Sequence, residues 1–493
     1  MITVLSLKPV LACLVSALAI GPILWFRNRP NWREACTLVA AFIKFGLVLS
    51  MLPAVTEGKI LEFTIWPLMP EMPLRFRVDS FGLLFALVAS SLWIVTTIFS
   101  IGYMRGLNEH AQTRFYVCFA LALSATIGVA FSANLITLYL FYEALSLSTF
   151  PLVTHHQDRE ARTGGRTYLT YLLGTSIAFV LPAMIYCSIK AGGTPDFSSA
   201  GFLQGHIGAT EAIVVLLLLV FGFAKAGLMP FHAWLPGAMV APTPVSALLH
   251  AVAVVKVGVF CILRIITGVF GVQWLQELNL GSIVAWIAAF TVVASSLVAL
   301  SQDNLKRRLA YSTIGQLSYI ILGAALLSPK SLTGSMMHIA THAFGKITLF
   351  FCAGAIFVAT GKKYISEMAG LGKHMPITMT AFFIGSLSVI GLPPTGGLLS
   401  KLYLVWGTLE TQQYSMTGVY LLSSLLNAIY FFPIVFAAFF RPSSQADAGI
   451  KEANAPCQLA LCITAVVSIL LFFYPGPVYS LANLMAHSLF NFQ

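Results

Sequence analysis

Apolar stretches of about twenty residues recur along this chain, and short polar connections separate them. A transmembrane α-helix needs about 20 predominantly apolar residues to cross the hydrocarbon core of a bilayer. Fourteen segments have this character: 4–26, 35–55, 79–104, 113–131, 133–153, 166–190, 211–232, 243–267, 281–301, 305–328, 333–361, 377–408, 416–441 and 457–475. The pattern therefore predicts an all-α polytopic membrane protein with about fourteen transmembrane helices.

The longest predicted stretch outside the membrane, residues 56–78, has a different pattern. Apolar and polar residues alternate within ILEFTIWP and PLRFRVD, which is the period of a half-buried β-strand. We expect a short hairpin on one face of the membrane. The first apolar segment has no basic start and no small-residue cleavage site, so we interpret Met1–Phe26 as a spanning helix and not as a removed signal peptide.

Composition narrows the class further. Of the 493 residues, 58% are hydrophobic and 9% are charged, with a mean hydropathy of +0.87, which excludes an ordinary soluble domain and a disordered chain. The eight cysteines form no CxxC pair. The sequence has no haem, iron–sulfur or zinc spacing, no Walker A loop and no dinucleotide fingerprint. We therefore expect no cofactor, no metal and no catalytic chemistry within the chain itself.

The net charge of +11 is explained by the placement of the basic residues in loops. Sixteen lysines and arginines fall in one set of alternating loops, and six fall in the opposite set. The positive-inside rule places the first set in the cytoplasm, and hence both termini on the outer side of a bacterial or archaeal cell (inner) membrane. Loops beside a lipid bilayer therefore account for the basic charge, and no nucleic-acid partner is needed to explain it.

The remaining basic residues are all lysines inside predicted spans: Lys8, Lys44, Lys225, Lys256, Lys346 and Lys401. Among the acidic residues, only Glu143 falls clearly in the middle of a span. Lysine and glutamate can exchange protons when they are desolvated, whereas arginine cannot. We interpret Lys8 as snorkelling and Lys44 as structural or snorkelling. The other ionisable residues are candidates for a proton path, and a structural ion pair is the alternative for Glu143.

Two predicted helices contain breaks, and each has a lysine close by. Residues 222–250 include Lys225 and, after it, Gly227-Leu228-Met229-Pro230. Residues 377–408 include Gly391-Leu392-Pro393-Pro394 followed by Lys401. Proline removes a backbone donor and clashes with the preceding turn. A broken helix persists at membrane depth only where protein or water satisfies the freed groups, so we interpret both lysines as candidate ion sites.

The two breaks occur at equivalent places in two sets of five helices. The sets are 113–267 and 281–441, and the broken helix is the fourth of each. An odd number of spans makes the second set inverted relative to the first, which is typical of transporters. We therefore divide the chain into N-terminal helices (1–112), the two repeats, and a C-terminal helix (442–493).

Histidines lie beside two of the buried lysines. His338, His342 and Lys346 have i, i+4, i+8 spacing and so share one helix face. A shared zinc ion is the rival interpretation for the two histidines, but no carboxylate is near in sequence. His250 and Lys256 lie in another span, where His250 is either a relay or a satisfied core residue. We interpret the 338–346 face as a hydrated polar strip.

Several of these motifs together resemble a known family. The motifs are YEALSLSTF around Glu143, KAGLMPFHAWLPGAMVAPTPVSALLHA, DNLKRRLAYSTIGQLSYI at 303–320, HAFGKITLFF and GLPPTGGLLSK. The chain resembles the antiporter-like subunits shared by Mrp-type multisubunit Na+/H+ antiporters and the membrane arm of respiratory complex I. Lysine on the second broken helix makes it most similar to the D-type antiporter-like subunits of the Mrp systems.

The resemblance implies fourteen helices, two inverted five-helix repeats, and broken helices 7 and 12. It implies that proton translocation depends on Glu143, Lys225, Lys256, Lys346 and Lys401. It also implies proton relays at His250, His338 and His342, and helix breaks at Pro230, Pro393 and Pro394. The expected partners are other membrane subunits, including a second antiporter-like subunit, together with protons and Na+ or K+.

The resulting prediction is a proton-translocating membrane subunit of a multisubunit Na+ or K+/proton antiporter. Three alternatives remain: a subunit of a redox-driven proton pump such as a complex I-like enzyme or membrane-bound hydrogenase, the proton-flux subunit of an inorganic-carbon uptake system, and a membrane scaffold that transports nothing. Neighbouring genes for iron–sulfur or hydrogenase-like proteins would favour the redox pump, which would make the parent complex a translocase enzyme.

Overall fold

The computed structural model describes residues 2–67, 72–193, 195–443 and 449–490, with the side chains of Ile2, His250 and Ala251 left out. Helices dominate these residues. In the N-terminal half they are α1 Lys8–Leu18, α2 Ile20–Trp25, α3 Pro30–Leu49, α4 Leu52–Thr56, α5 Ser80–Gly106, α6 Gln112–Ala130, α7 Leu135–Val153, α8 Arg159–Thr175, α9 Leu181–Ala191, α10 Ala209–Gly222, α11 Trp234–Gly237, α12 Thr243–Ala247 and α13 Val254–Arg264.

The C-terminal half is equally helical. Its helices are α14 Val272–Glu277, α15 Gly281–Ser301, α16 Leu305–Ala325, α17 Pro329–Thr360, α18 Leu371–His374, α19 Pro376–Ile390, α20 Gly396–Glu410, α21 Tyr414–Phe440, α22 Ala455–Phe473 and α23 Gly476–Phe490. Within the described residues, ten helical stretches are long and apolar enough to cross a membrane. The predicted polytopic helical fold is confirmed, and the count of fourteen spans remains a prediction.

A small sheet joins the N-terminus to the predicted hairpin. Strands β2 (Lys59–Pro67) and β3 (Pro73–Val78) pair antiparallel, and β1 (Ile2–Leu5) pairs parallel with β2. The hairpin predicted within 56–78 is therefore present. Strand β1 was not predicted, because its four residues merge with the following apolar helix in the hydropathy pattern. The first helix consequently begins at Lys8 rather than at residue 4.

Asparagine and aspartate side chains fix the starts of several membrane helices. An N-cap oxygen satisfies one of the backbone amides that a helix start leaves free. The caps are Asp79 on α5, Asn134 on α7, Asp158 on α8, Asn304 on α16 and Asn454 on α22. Because Asn134 sets where α7 starts, it also sets the depth of Glu143 in the bundle.

The two predicted breaks lie at glycines with left-handed backbone. Helix α10 ends at Gly222, a 3-10 turn covers Ala224–Ala226, and Gly227 follows with φ +72°. Helix α19 ends at Ile390, and Gly391 has φ +90° before α20 begins. Left-handed backbone costs a residue with a Cβ atom, so glycine suits both positions. The helix predicted over 211–232 is therefore ten residues shorter at its C-terminal end.

A third interruption lies inside the span predicted over 243–267. A π-helical turn covers Leu248–Val252, and Ala253 has φ −113° and ψ −80° before α13 begins. Pattern analysis missed this interruption because the segment carries no proline at that point. His250 lies within the π-turn, and its side chain is outside the described residues.

Helix α17 is the centre of the C-terminal half. It spans 32 residues, nearly all of them buried up to Ile356, and it packs against α16, α19, α20, α22 and α5. The terminal helix α23, which the sequence did not predict, also packs on α17 and α5. A helix surrounded in this way can carry polar side chains at membrane depth without exposing them to lipid.

Candidate functional site

Lys225 lies in the 3-10 turn at the first break, and its amine binds α7. The ammonium group donates to the carbonyl oxygen of Tyr142 at 2.9 Å and to Ser146 Oγ at 2.6 Å. Its Nζ also lies 3.0 Å from the centroid of the Tyr142 ring, which is a cation–π contact. The lysine is fully buried, and these three groups replace the water that it loses.

Glycine at position 258 allows this turn to approach α13. A Cβ atom there would lie 2.1 Å from the backbone nitrogen of Ala226 and 2.3 Å from the carbonyl carbon of Lys225. Any larger residue would push the two backbones apart. The close packing brings α13, which also carries Lys256, directly against the turn that carries Lys225.

Glu143 lies between the two α7 residues that bind Lys225, but it does not bind the lysine here. Both carboxylate oxygens are buried and have no hydrogen-bond partner among the residues that the structure describes. Within the described residues, no ion pair joins Glu143 to Lys225 at 4.0 Å or less. The structure therefore brings the pair expected from the sequence into one neighbourhood, since Glu143 directly follows Tyr142, which binds Lys225, but the two side chains do not contact each other.

Lys256 and His342 form the next contact along the interior. Lys256 Nζ lies 2.7 Å from His342 Nδ1, and both side chains are buried. His342 Nε2 is also buried and has no partner within the described residues. An imidazole can accept a proton on one nitrogen and release it from the other. His342 therefore has the geometry of a proton relay in which Nδ1 contacts Lys256.

His338 continues from His342 along α17 toward the second break. The two imidazole rings are stacked with centroids 5.7 Å apart. His338 Nδ1 lies 2.9 Å from Ser400 Oγ, and its Nε2 lies 3.1 Å from Gln316 Oε1. Ser400 immediately precedes Lys401 in α20, so the polar contacts lead from α17 to the lysine at the break.

The ammonium group of Lys401 occupies the end of the broken helix. It donates to the carbonyl oxygens of Val389 at 2.8 Å and Ile390 at 3.0 Å, and to Ser424 Oγ at 3.2 Å. Val389 and Ile390 are the last residues of α19, and the final carbonyls of a helix have no intrahelical partner. The negative end of the helix dipole also favours a cation there. The break therefore creates a cation site.

Lys346 binds a separate polar group on the same helix. Its amine donates to Ser312 Oγ at 2.8 Å, and the Tyr430 hydroxyl donates to the same oxygen at 2.9 Å. Lys346 lies one turn beyond His342, as the i, i+4 spacing predicts. Its contacts extend the polar strip of α17 from the second break toward α16 and α21.

The two remaining lysines of the predicted spans, Lys8 and Lys44, differ in their exposure. Lys8 is exposed and donates to the Ser50 carbonyl at 3.1 Å. Lys44 is fully buried, donating to Ser16 Oγ at 2.6 Å and to the Leu123 carbonyl at 3.1 Å. Snorkelling is therefore the wrong interpretation of Lys44, because neighbouring helices enclose it, and the structural interpretation remains.

Sequence reasoning missed the neutral partners of these lysines and histidines. They are Ser146, Ser312, Gln316, Ser400, Ser424 and Tyr430. Most of them belong to the motifs that carry the family resemblance, such as Ser312 and Gln316 within DNLKRRLAYSTIGQLSYI. A polar residue within an otherwise apolar motif was thus the available signal for a binding partner. The lysine or histidine that it binds could not be identified, because most of these pairs lie far apart in the sequence.

These features define a polytopic membrane protein with a chain of buried ionisable side chains along its interior. A family model described as "NADH:quinone oxidoreductase/Mrp antiporter, TM" matches residues 132–427, which include all the lysines and histidines of that chain. The protein belongs to this NADH:quinone oxidoreductase/Mrp antiporter transmembrane family, so the family resemblance is confirmed. Assignment to the D type of the Mrp systems stays a prediction.

Curated relatives come from both branches of the family. The N-type subunit of the NADH-quinone oxidoreductase of Desulforudis audaxviator is 33% identical, over 82% of this chain and 81% of that protein. The A/B-type subunit of a probable K(+)/H(+) antiporter of Rhizobium meliloti is 32% identical, over 79% of this chain and 38% of that protein. The A1-type subunit of a Na(+)/H(+) antiporter of Staphylococcus aureus is 32% identical, over 81% and 50%. The chain spans half or less of these two antiporter relatives.

Two solved structures share the fold over nearly the whole chain. A chain of the Mrp complex from Dietzia sp. DQ12-45-1b matches with a TM-score of 0.86 and 19% identity, covering 99% of this chain and 98% of that one. A chain of the membrane-bound sulfane sulfur reductase, an archaeal respiratory membrane complex, matches with a TM-score of 0.87 and 23% identity, covering 98% of each chain. The fold thus occurs in both antiporter and respiratory assemblies.

Proposed function

We propose that this chain is a proton-translocating membrane subunit of a multisubunit monovalent cation/proton antiporter. The observation that carries the proposal is the interior polar chain. It runs from Lys256 to His342, continues through His338 and Ser400, and ends at Lys401 on the broken helix. Relatives named as Na+/H+ and K+/H+ antiporter subunits support the antiporter assignment.

Lys225 and Glu143 form the switch in the proposed mechanism. The lysine rests on Tyr142 and Ser146, while the carboxylate beside it is unpartnered. Movement of the ammonium group toward Glu143 would form an ion pair and stabilise both charges. Its return would leave each group with a different affinity for protons, so alternation between the two positions drives proton uptake and release.

Lateral transfer then follows the polar side chains of α13, α17 and α20. A proton leaving Lys256 enters His342 at Nδ1, passes to His338, and reaches Lys401 beside Ser400. We assign Lys346 to the same strip, and His250 to the connection near Lys256. Lys401 exchanges with one side of the membrane. Pro230, Pro393 and Pro394 maintain the two breaks.

The two breaks support the proposed repeat organisation. Each has a left-handed glycine in a Gly-Leu-x-Pro motif and a buried lysine bound to a backbone carbonyl. We assign 113–267 and 281–441 as inverted five-helix repeats between N-terminal helices (1–112) and a C-terminal part (442–493). From the distribution of basic loop residues, we assign both termini to the outer side of a bacterial or archaeal cell (inner) membrane.

The transported cation requires partner subunits in this proposal. Within the described spans, Glu143 is the only acid in mid-helix, so this chain offers few anionic side chains to a cation at membrane depth. We therefore assign the cation path to partner subunits, one of them a second antiporter-like subunit. Na+ or K+ is the exchanged ion.

A redox-driven proton pump is the second candidate. It is favoured by the match to the NADH-quinone oxidoreductase relative, which this chain covers over 81% of its length, against 38% and 50% for the two antiporter relatives. The same interior chain of groups would serve this function. The difference lies in what supplies the energy, namely a cation gradient or an electron-transfer reaction in partner subunits.

Proton flux in inverted vesicles that contain the assembled complex separates the two functions. An imposed proton gradient is read with a pH-sensitive dye, first with Na+ or K+ and no redox substrate, then with an electron donor. We expect cation-dependent dequenching that Lys256→Ala abolishes and that Lys8→Ala, a change at an exposed lysine, preserves. Pumping only with the donor would assign the chain to a redox complex. Cation exchange unaffected by Lys256→Ala would refute the path.

A further inference from the structure

Four side chains that the proposed function does not use meet outside the spans. Glu109 and His110 lie in the loop between α5 and α6, and His155 and His156 directly follow α7. Glu109 Oε2 lies 3.9 Å from His110 Nδ1, 3.8 Å from His155 Nε2 and 3.7 Å from His156 Nδ1. Three imidazoles thus surround one carboxylate oxygen.

The buried member of this cluster has no partner for either ring nitrogen. His155 has 0% of its surface exposed, and neither Nδ1 nor Nε2 has a hydrogen-bond partner within the described residues. A buried polar atom without a partner is costly. The distances to Glu109 are too long for hydrogen bonds, so the four side chains lie together without binding one another.

The spacing of the donor atoms suits a transition-metal ion. Donor atoms of Glu109, His110 and His156 all lie within 4.8 Å of one another. Zn²⁺ binds imidazole nitrogen and carboxylate oxygen at about 2.0–2.2 Å, so the donors of a tetrahedral site stand roughly 3.4 Å apart. Closing separations of up to 4.8 Å to that value needs side-chain movements of roughly 1–1.5 Å.

We propose that Glu109, His110 and His156 bind a divalent transition-metal ion of the zinc class, with the buried imidazole of His155 beside them. Two imidazoles with one carboxylate favour zinc over calcium or magnesium, which prefer all-oxygen sites. This differs from the absence of metal that the sequence predicts, because His156 lies more than forty residues from the other two ligands.

The bound ion would fasten two loops at one end of the bundle. It would join the α5–α6 loop to the residues that end α7, the helix that carries Glu143. Arg114 in α6 already binds the segment that follows α7, since it donates to the His155 carbonyl oxygen at 2.9 Å. The metal site therefore acts as an anchor for α7 and is independent of which gradient the complex uses.

Calorimetric titration of the purified full-length chain with Zn²⁺, after treatment with a chelator, tests the site. We expect one equivalent of Zn²⁺ to bind, and Glu109→Gln and His156→Gln each to weaken binding by about 100-fold or more, since losing even an outer-shell partner costs about 10–100-fold. The matched control is His206→Gln, which removes an exposed loop imidazole and should leave the affinity unchanged.

Two further readouts keep the test decisive. Co²⁺ should give the intense visible bands of a tetrahedral site in the wild type and lose them in His110→Ala, a change at a half-exposed residue that is compatible with folding. Zn²⁺ should also raise the thermal midpoint of the wild type but not of this variant. Equal Zn²⁺ binding by wild type and all site variants, or no binding by the wild type, would overturn the proposal whatever the transport assays show.

Discussion

Two buried lysines in this protein permit a controlled test of which one carries protons. Lys225 donates to Ser146 Oγ at 2.6 Å and to a carbonyl at 2.9 Å. Lys44 donates to Ser16 Oγ at 2.6 Å and to a carbonyl at 3.1 Å. Both are fully buried. Only Lys225 has an unpartnered carboxyl group close by, so the two alanine variants differ mainly in the proposed function.

The structural cost of each substitution should be similar. Two hydrogen bonds from a charged donor contribute about 1.5–3 kcal/mol each, and placing the charged group at membrane depth costs about 2.5–3.5 kcal/mol. The lysine therefore contributes between roughly −0.5 and 3.5 kcal/mol to stability in either place. We expect Lys225→Ala and Lys44→Ala to assemble in comparable amounts and to melt within a few degrees of each other.

Transport should separate the two variants. Exchange is measured by dye dequenching in inverted vesicles and is normalised to the amount of assembled complex. We expect Lys225→Ala to fall to background, because the switch has lost its mobile charge, and Lys44→Ala to keep most of the wild-type rate. A wild-type rate in Lys225→Ala would refute the role of this lysine, and equal loss in both variants would assign the effect to lysine burial rather than to a proton path.

Two further substitutions test the details of the site. Ser146→Ala removes one hydrogen bond from the position in which the Lys225 amine rests on α7. The loss is worth about 1.5–3 kcal/mol, or roughly 10- to 150-fold in the ratio of the populations of the two amine positions. We expect slower exchange in the same dye assay, whereas Ser148→Ala on the same helix should be neutral. Gly391→Ala would place a Cβ atom 2.6 Å from Lys401 Cδ in a residue with φ +90°, at a cost of about 1–3 kcal/mol. We expect a lower melting temperature and reduced exchange. Gly418→Ala, whose Cβ atom would meet nothing within 4 Å beyond its own helix, should preserve both.

Local features of the sequence were enough to predict a polytopic helical fold and two of the breaks in its helices. Length and hydropathy define a spanning segment because the bilayer imposes both, and proline or a left-handed glycine acts on its own backbone. The hairpin within 56–78 and the breaks beside Lys225 and Lys401 follow from such local rules. The π-turn at Leu248–Val252 carries no such signal and was missed.

Tertiary packing decided which polar residues belong to the site. Lys225 has a helix break beside it in the sequence, whereas Lys44 has no such local signal. Only the structure shows that neighbouring helices bury Lys44 as fully as Lys225. Lys256 and His342 are 86 residues apart yet 2.7 Å from each other. A sequence determines hydropathy along the chain residue by residue. Contacts between distant helices depend on how closely their backbones approach, which is why the partners of the buried lysines and the Glu109 cluster emerged only from the fold.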